Sequence, residues 1–549
     1  MSKKNKKYKP KKIEPDLQKP LLQQTKPARD FTLVITAVYF CVVLFGIFHH
    51  EMWRDEYQAW LIATNAHSFS ELYKNCLYEG HPMLWHVLLY MLTWITNSPI
   101  AMQLLHICIA TSSVFLFNRF TNFNILQKIL FSFGFYSIFE YSLIARSYSL
   151  DFILTLIFCT LYKQRQKNII WLGVILFLLA NTSVYGLAIS LCLSGILALD
   201  FLFNRRTQKW STISFPKTGL GMMIFIVGVI FSIMQILPEP DNHVQTPLSS
   251  LANIGNMKIV LSKIYNAYLL YPEMKVLPNW NANGMMDYVP SELNSHIFIS
   301  LVLIAATSLI LIRNPLALLF YFAGTFGMIC LFGLTFLLAP RYIGHFFIIL
   351  IASIWLSAYL PEQKFRNYLF VKFSEWGKRI KNSFIYLIFG SQVIVGVSIY
   401  ITDLNMRFSA NKDAVKFILE QKLDTLPIVG TIDYAASDFS ALLNKPIYYP
   451  DRKEYGTFII WDGKRNPNLN FGQIIQAIDT VLNKKHSQAL LILDYQPSYI
   501  RDNQKVMLEH EMLSPSIKLD LLNKFENTMV ADEVYYVYLA QRVKNSISK

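Results

Sequence analysis

Charge is what this chain has least of. Only 16% of its 549 residues are Asp, Glu, Lys or Arg, against 53% that are hydrophobic, with 40 Phe and 30 Tyr among the aromatics. Ordinary soluble domains carry about 25% charged residues. A single soluble globule is therefore excluded, and the positive mean hydropathy fits a polytopic membrane protein. Cysteine is sparse too: Cys41, Cys76, Cys108, Cys159, Cys192 and Cys330 fall mostly inside apolar runs, and none lies beyond residue 330. That pattern argues against a disulfide framework. No internal repeat is evident, and most apolar runs lack charge near their middle. Both absences count against the alternative of a multi-pass transporter or lipid flippase, which needs ionisable groups along a midplane path.

Acids are missing from the first stretch, "MSKKNKKYKPKK", which has seven lysines in twelve residues. It resembles a signal-peptide n-region, but the next apolar run begins near residue 31 and no small-residue cleavage site follows. Residues 1–30 are therefore expected to be a basic cytoplasmic tail. The net charge of +15 comes from Lys and Arg in short clusters between apolar runs. That is a topology signal and excludes a nucleic-acid footprint.

Apolar runs of spanning length lie at roughly 32–48, 100–118, 126–142, 148–162, 169–180, 187–203, 219–237, 296–312, 316–338, 343–360 and 383–401. The run 82–96, "PMLWHVLLYMLTWIT", would put every later basic cluster on the wrong side if it crossed. It is short, and its Trp85, His86, Tyr90 and Trp94 suit a helix in the headgroup layer. Two long outer loops follow, 49–99 and 238–295. Residues 31–403 form the membrane domain, and residues 404–549 are expected outside the membrane on the far side from the N-terminus. In that tail strand-like runs ("PIVGTIDY", "PIYYP", "TFIIWD", "ALLILDY", "VYYVYLA") alternate with helical ones ("NKDAVKFILEQ", "DFSALLN", "FGQIIQAIDTVLN"). It shows no glycine-rich phosphate loop and no catalytic cluster, so a recognition, lid or packing role is expected. The expected fold is an α-helical polytopic membrane protein of about eleven transmembrane helices with a C-terminal α/β extracytoplasmic domain. The charge rule fits the plasma (inner) membrane of a bacterium, and an endoplasmic reticulum orientation equally.

"EMWRDEYQAW", residues 51–60, places Asp55 and Glu56 just past the first span. Acids at a helix end are ordinarily solvated flanking charge. Here the other polar clusters, "EGHP" (79–82), "FEYSLIARSYSLD" (139–151), "NTSVYG" (181–186) and "APRYIGHF" (339–346), reach the same face. Arg146 and Arg341 stand at span junctions beside Tyr148, Tyr342 and His345. An arginine on the outer face runs against the positive-inside bias unless an anionic headgroup is gripped by its guanidinium fork. Carboxylate and guanidinium in one cleft over lipid suit a sugar joined through phosphate to a polyprenyl chain. The phosphate is a good leaving group stabilised by arginine, and the incoming hydroxyl needs one carboxylate base. Adjacent helical residues point about 100° apart, so Asp55 and Glu56 are expected to divide the labour. Asp55 is favoured as base, with the other acid orienting sugar hydroxyls or the arginine.

"RDE" after the first span, "HP" (His81, Pro82) opening an aromatic helix, "ARSYSLD" and "PRY", in that order over residues 30 to 360, resemble the GT-C class of integral membrane glycosyltransferases. More narrowly they are similar to the branch holding protein O-mannosyltransferases and the lipid A aminoarabinose transferase. The resemblance implies a polyprenyl-phosphate sugar donor, an outer-face active site and inverting transfer to an extracytoplasmic acceptor (protein, lipid or glycan). Its catalytic acid matches Asp55 or Glu56. The arginines facing lipid phosphate match Arg146 and Arg341, with His81, Tyr148, Tyr342 and His345 as neighbours in donor-phosphate binding. A second acidic position matches Glu140 or Asp151. "HPM" stands where relatives often have two prolines. Some class members use a divalent ion, but His49, His50, Glu51 and Asp55 give no recognised ligand spacing, so no metal or other cofactor is expected.

Overall fold

A computed structural model describes residues 29–206, 215–242, 254–270, 293–335, 337–466, 468–482, 487–501, 504–514 and 516–543. Nearly all of the basic tail and most of the 238–295 loop lie outside the described residues. The chain is mostly helical, with a small sheet near its C-terminus.

The helices begin with α1 (Arg29–His49), followed by three short ones in the 49–99 loop: α2 (Arg54–Thr64), α3 (Phe69–Cys76) and α4 (Leu84–Thr93). Next come α5 (Ile100–Phe120), α6 (Ile125–Ser132), a π-helical turn (Tyr136–Glu140), α7 (Tyr148–Tyr162), α8 (Ile169–Ala180), α9 (Val184–Arg206) and α10 (Phe215–Ile236). Helices α11 (Ile254–Tyr268), α12 (Leu293–Leu311), α13 (Pro315–Thr335), α14 (Pro340–Ser357) and α15 (Tyr368–Asn405) complete this part. Among the described residues eight of these, α1, α5, α9, α10, α12, α13, α14 and α15, are long and apolar enough to cross a membrane. Helix α4 has ten residues, about 15 Å of helix, half the thickness of the hydrocarbon core.

Two expected spans differ in form. The 126–142 run is broken into α6 and the π turn. At Gly134 a Cβ would lie 3.1 Å from Cβ of Gln392, and at Gly396 one would lie 2.8 Å from the amide nitrogen of Phe135. The α15 backbone thus presses into the break, and Tyr39 donates its hydroxyl hydrogen to the Ser137 carbonyl. Irregular backbone is tolerated at membrane depth where buried partners satisfy it in this way. The 383–401 run belongs to a continuous 38-residue helix, α15, which absorbs most of the preceding basic loop.

Helix α14 is the spine. Every residue from Pro340 to Leu356 is buried, as expected of a helix apolar on all sides. It packs on α7, α9, α11 and α13. Its first turn carries Arg341 to one end of the bundle.

In the C-terminal region α16 (Asn411–Glu420), β1 (Ile428–Thr431), α17 (Asp433–Leu443), β2 (Ile447–Tyr449), β3 (Glu454–Gly456), α18 (Phe471–Val481) and β4 (Gln488–Leu493) alternate. A hairpin of β5 (Ser498–Arg501) and β6 (Gln504–Met507) precedes β7 (His510–Ser514), β8 (Ile517–Phe525) and β9 (Tyr535–Arg542). The seven-stranded sheet runs β3-β2-β1-β4-β9-β8-β7, with β1 parallel to both β2 and β4 and the other pairs antiparallel. The expected strand "TFIIWD" is not a strand. The Ile459 amide and carbonyl instead bond the side chain of Gln58 in α2, at 2.9 Å each. This region docks on α2: Asn411 donates to the Met52 carbonyl at 2.8 Å, and Arg54 donates to Asp532 at 2.5 Å.

Helices α8 and α10 meet through glycines. A Cβ on Gly173 would lie 2.3 Å from the Gly221 carbonyl oxygen, with nowhere to move against backbone. Small residues let helices approach in lipid. Gly173→Val is expected to cost about 1–3 kcal/mol through overpacking, read as a lower thermal midpoint of detergent-purified protein. Gly195→Val, at a glycine with open space around it, is expected to leave the midpoint within a degree or two of wild type.

Candidate functional site

The first turn of α2 decides the site. The Trp53 backbone is extended at the helix start, and Glu56 reaches back to accept its amide hydrogen at 3.2 Å. Acids here also complement the positive end of the helix dipole. The two neighbours then diverge, as 3.6 residues per turn demands.

Asp55 turns toward the arginines. Its Oδ2 lies 3.6 Å from Nη1 of Arg146 and 3.5 Å from Nη2 of Arg341. Arg146 also donates to the Asp55 carbonyl at 2.5 Å. The carboxylate side chain remains 28% exposed while the two guanidinium side chains are 17% and 10% exposed, so water reaches the cluster mainly through the acid. Aromatic faces surround the cations. The Arg341 guanidinium lies 5.1 Å from the Trp53 ring centre and 4.7 Å from that of Tyr342, and Arg146 lies 5.9 Å from Tyr148. Such contacts favour cations in poorly hydrated sites. Burial alone would raise the Asp55 pKa, but Arg146, Arg341 and Arg54 outweigh it and hold the carboxyl below its ordinary range.

Glu56 turns inward and is fully buried. Its Oε1 accepts from the Ala145 amide at 2.7 Å, and its Oε2 lies 3.4 Å from Nε2 of His50. The other ring nitrogen of His50 lies 3.0 Å from Asp403 at the end of α15. Burial opposes a charged imidazole, yet Asp403 and Glu56 together raise the His50 pKa to about 10. His50 is thus an imidazolium joining the ends of α1 and α15 to α2, and Glu56 fixes the backbone immediately before Arg146. Of the two expected duties of the second acid, orienting the arginine is the one its position permits. Contact with sugar hydroxyls is not, because its oxygens face backbone and His50.

The other expected residues separate into two layers. His81, Tyr148 and Tyr342 adjoin the cluster: Tyr148 has its ring centre 6.2 Å from His81 and 5.4 Å from Tyr342. Burial, together with the charge of Arg146, lowers the His81 pKa to about 4, so its ring is neutral near pH 7, and its Nδ1 is buried without a hydrogen-bond partner among the described residues. His345 and Asp151 lie deeper. His345 places Nε2 3.0 Å from Asp151 and Nδ1 2.6 Å from the Tyr342 carbonyl. Asp151 also accepts from Ser183 at 2.7 Å and from Thr182. Both ring nitrogens of His345 are engaged, so it supports Tyr148, 5.9 Å away centre to centre, and does not face a headgroup. Glu140 is buried in the π turn.

Residues not singled out in the sequence complete the site. Trp53 covers Arg341, and Tyr185 packs 4.7 Å from His345 and 5.6 Å from Tyr342. Glu79 accepts from Gln58 at 2.8 Å, and burial raises its pKa to about 7. All four sit within stretches quoted above, Trp53 and Gln58 in "EMWRDEYQAW", Glu79 in "EGHP" and Tyr185 in "NTSVYG", but no spacing signal marks them apart from neighbouring the acids, the histidine or the turn. Among the described residues no group of three or more His, Cys, Asp or Glu is gathered as a metal ion would need. No family model, curated protein or solved structure matches this chain.

His50→Leu strands two buried carboxylates and is expected to cost about 3–5 kcal/mol. The pKa is raised on folding, so its stabilisation is whole below about pH 6.5, declines above that and is gone past about pH 10. Unfolding midpoints of wild type should therefore fall between pH 7 and pH 10 more steeply than those of His50→Leu.

Proposed function

We propose that the chain is a membrane glycosyltransferase that moves a sugar from a polyprenyl-phosphate donor to an extracytoplasmic hydroxyl acceptor with inversion. The observation that carries this is Asp55 held between Arg146 and Arg341 at 3.6 and 3.5 Å, at one end of the helical bundle. The proposal includes eleven crossings: the eight long helices, α7, α8, and α6 with the π turn. The N-terminus is then cytoplasmic, and Asp55 and the C-terminal α/β domain lie on the opposite face of a bacterial plasma membrane.

The donor phosphate replaces Asp55 as counter-ion of the two arginines, whose forks match phosphate oxygens. This exchange has a chemical consequence. Asp55 in the resting site is a poor base because the arginines hold its pKa down. Once phosphate takes their charge, its proton affinity rises, so the base becomes competent when the donor is present. The acceptor oxygen then attacks the anomeric carbon from the side opposite phosphate. The carbon–oxygen bond to phosphate breaks, with its electron pair going to the phosphate, and the hydroxyl proton passes to Asp55. Arg146 and Arg341 stabilise the charge on the departing phosphate. His81, neutral and beside Tyr148, offers a hydrogen bond without competing for the anion. The multi-pass transporter alternative draws no support from this cluster, because its charges are at the end of the spans and not along a midplane path.

The test is mass spectrometry of envelope glycolipids and glycoproteins from cells with wild-type protein, with Asp55→Asn, and with none. A sugar modification present only with wild type supports the proposal. Identical glycans in all three overturn it. With the acceptor known, Asp55→Asn is expected to lower kcat by about 10²–10⁴-fold, the usual effect of losing a general base. Arg146→Ala and Arg341→Ala should raise KM for the donor as well as lower kcat.

A further inference from the structure

At the other end of the bundle lies a cavity of about 210 Å³ lined by Asn122, Gln127, Trp355, Lys378, Lys381 and Asn382. Trp355 is fourteen residues past Arg341 on α14, which is about 20 Å along the helix, so the cavity is separate from the Asp55 cluster. It gathers two ammonium groups and three amides, the donors that suit an anion. Gln127 donates to the Asn382 side-chain oxygen at 3.3 Å, which turns the Asn382 N–H groups away from that bond. Lys128, next in sequence to Gln127, does not line the cavity: its ammonium donates to the Asn118 carbonyl at 2.7 Å. Of the nearby acids, Glu362 lies 3.9 Å from Arg313 and also acts electrostatically on Lys381, and Glu375 is exposed on the same helix as the lysines.

The surroundings say where this cavity sits. Helix α15 has 38 residues, about 57 Å of helix, against a hydrocarbon thickness of about 30 Å. Its N-terminal part must therefore run beyond the apolar layer. That part exposes Tyr368, Phe370, Phe373 and Trp376, at 74%, 47%, 43% and 55%, with Lys372 among them and Lys378, Arg379 and Lys381 following in the next turn and a half. Aromatic rings beside a basic cluster are what a membrane–water interface selects.

We propose that this cavity binds a phosphate group, carried by an anionic lipid headgroup or free in solution, at the membrane face opposite Asp55. Lys378 and Lys381 hold the charge, and the amides of Asn122 and Asn382 orient the oxygens. The proposal is independent of the sugar-transfer chemistry.

The test uses the full chain in phosphatidylcholine nanodiscs with or without a minor fraction of phosphatidylglycerol. Phosphatidylglycerol retained per chain after detergent transfer is counted by mass spectrometry for wild type, Lys378→Ala/Lys381→Ala, and Lys364→Ala/Lys372→Ala, which loses equal charge outside the cavity. Retention is expected to fall roughly tenfold in the cavity variant and to be unchanged in the control. Unfolding midpoints in phosphatidylcholine alone establish that the variants fold, and Lys378→Arg/Lys381→Arg should restore retention. If inorganic phosphate alone raises the wild-type midpoint and the cavity variant is unresponsive, the ligand is the free anion. Equal loss of retention in cavity variant and control, or no loss in either with no response to phosphate, overturns the proposal.

Discussion

One carboxylate shared by two guanidinium groups organises this end of the molecule. Arg146 comes from the turn before α7 and Arg341 from the first turn of α14, two elements far apart in sequence that Asp55 draws to within 3.6 Å of one atom. Leaving either charge alone in such surroundings would be costly, so the arrangement constrains α2, α7 and α14 together. The enclosed path of α14 through the bundle makes that constraint stiff.

The remaining contacts keep Asp55 where the arginines meet. His50 joins the ends of α1 and α15 to Glu56, and Glu56 holds the amide of Ala145, next to Arg146. On the other flank, Gln58 bonds both backbone groups of Ile459 and also Glu79, while Arg54 reaches Asp532. The C-terminal region is thereby attached to the helix that carries the acid by side-chain amide and guanidinium groups, beside the apolar contacts that buried Phe408, Met529 and Val530 make with the bundle core.

How much of this was legible in the sequence depended on the kind of signal. Long apolar runs marked most helices because hydrophobic length is a property of the chain itself. Breaks such as Gly134 were not marked, since they depend on Gln392 and Gly396 of α15 pressing from far along the chain. In the C-terminal domain, β1, β2, β4 and β9 followed from apolar runs rich in β-branched and aromatic residues. "TFIIWD" had the same look, but its backbone partner is the Gln58 side chain. Strand β8, "IKLDLLNKF", was not among the expected strands: it alternates over Ile517–Leu521 but Leu522 breaks the pattern. At the site, Asp55, Arg146 and Arg341 stood out because charge beside apolar spans is rare. The assignment of His345 and Asp151 to a deeper pair was not visible, because nothing in sequence spacing says that they meet each other 3.0 Å apart.

Two cations against one anion leave the resting cluster with a surplus of one positive unit. On the proposed chemistry a phosphodiester donor, singly negative, brings that tally to zero. When sugar leaves, phosphate gains a second negative charge just as Asp55 is neutralised by the acceptor proton, so the tally is still zero and no net charge has to enter or leave a desolvated space during the step. Deprotonation of Asp55 afterwards makes the occupied cluster negative, and electrostatic repulsion then ejects the spent carrier.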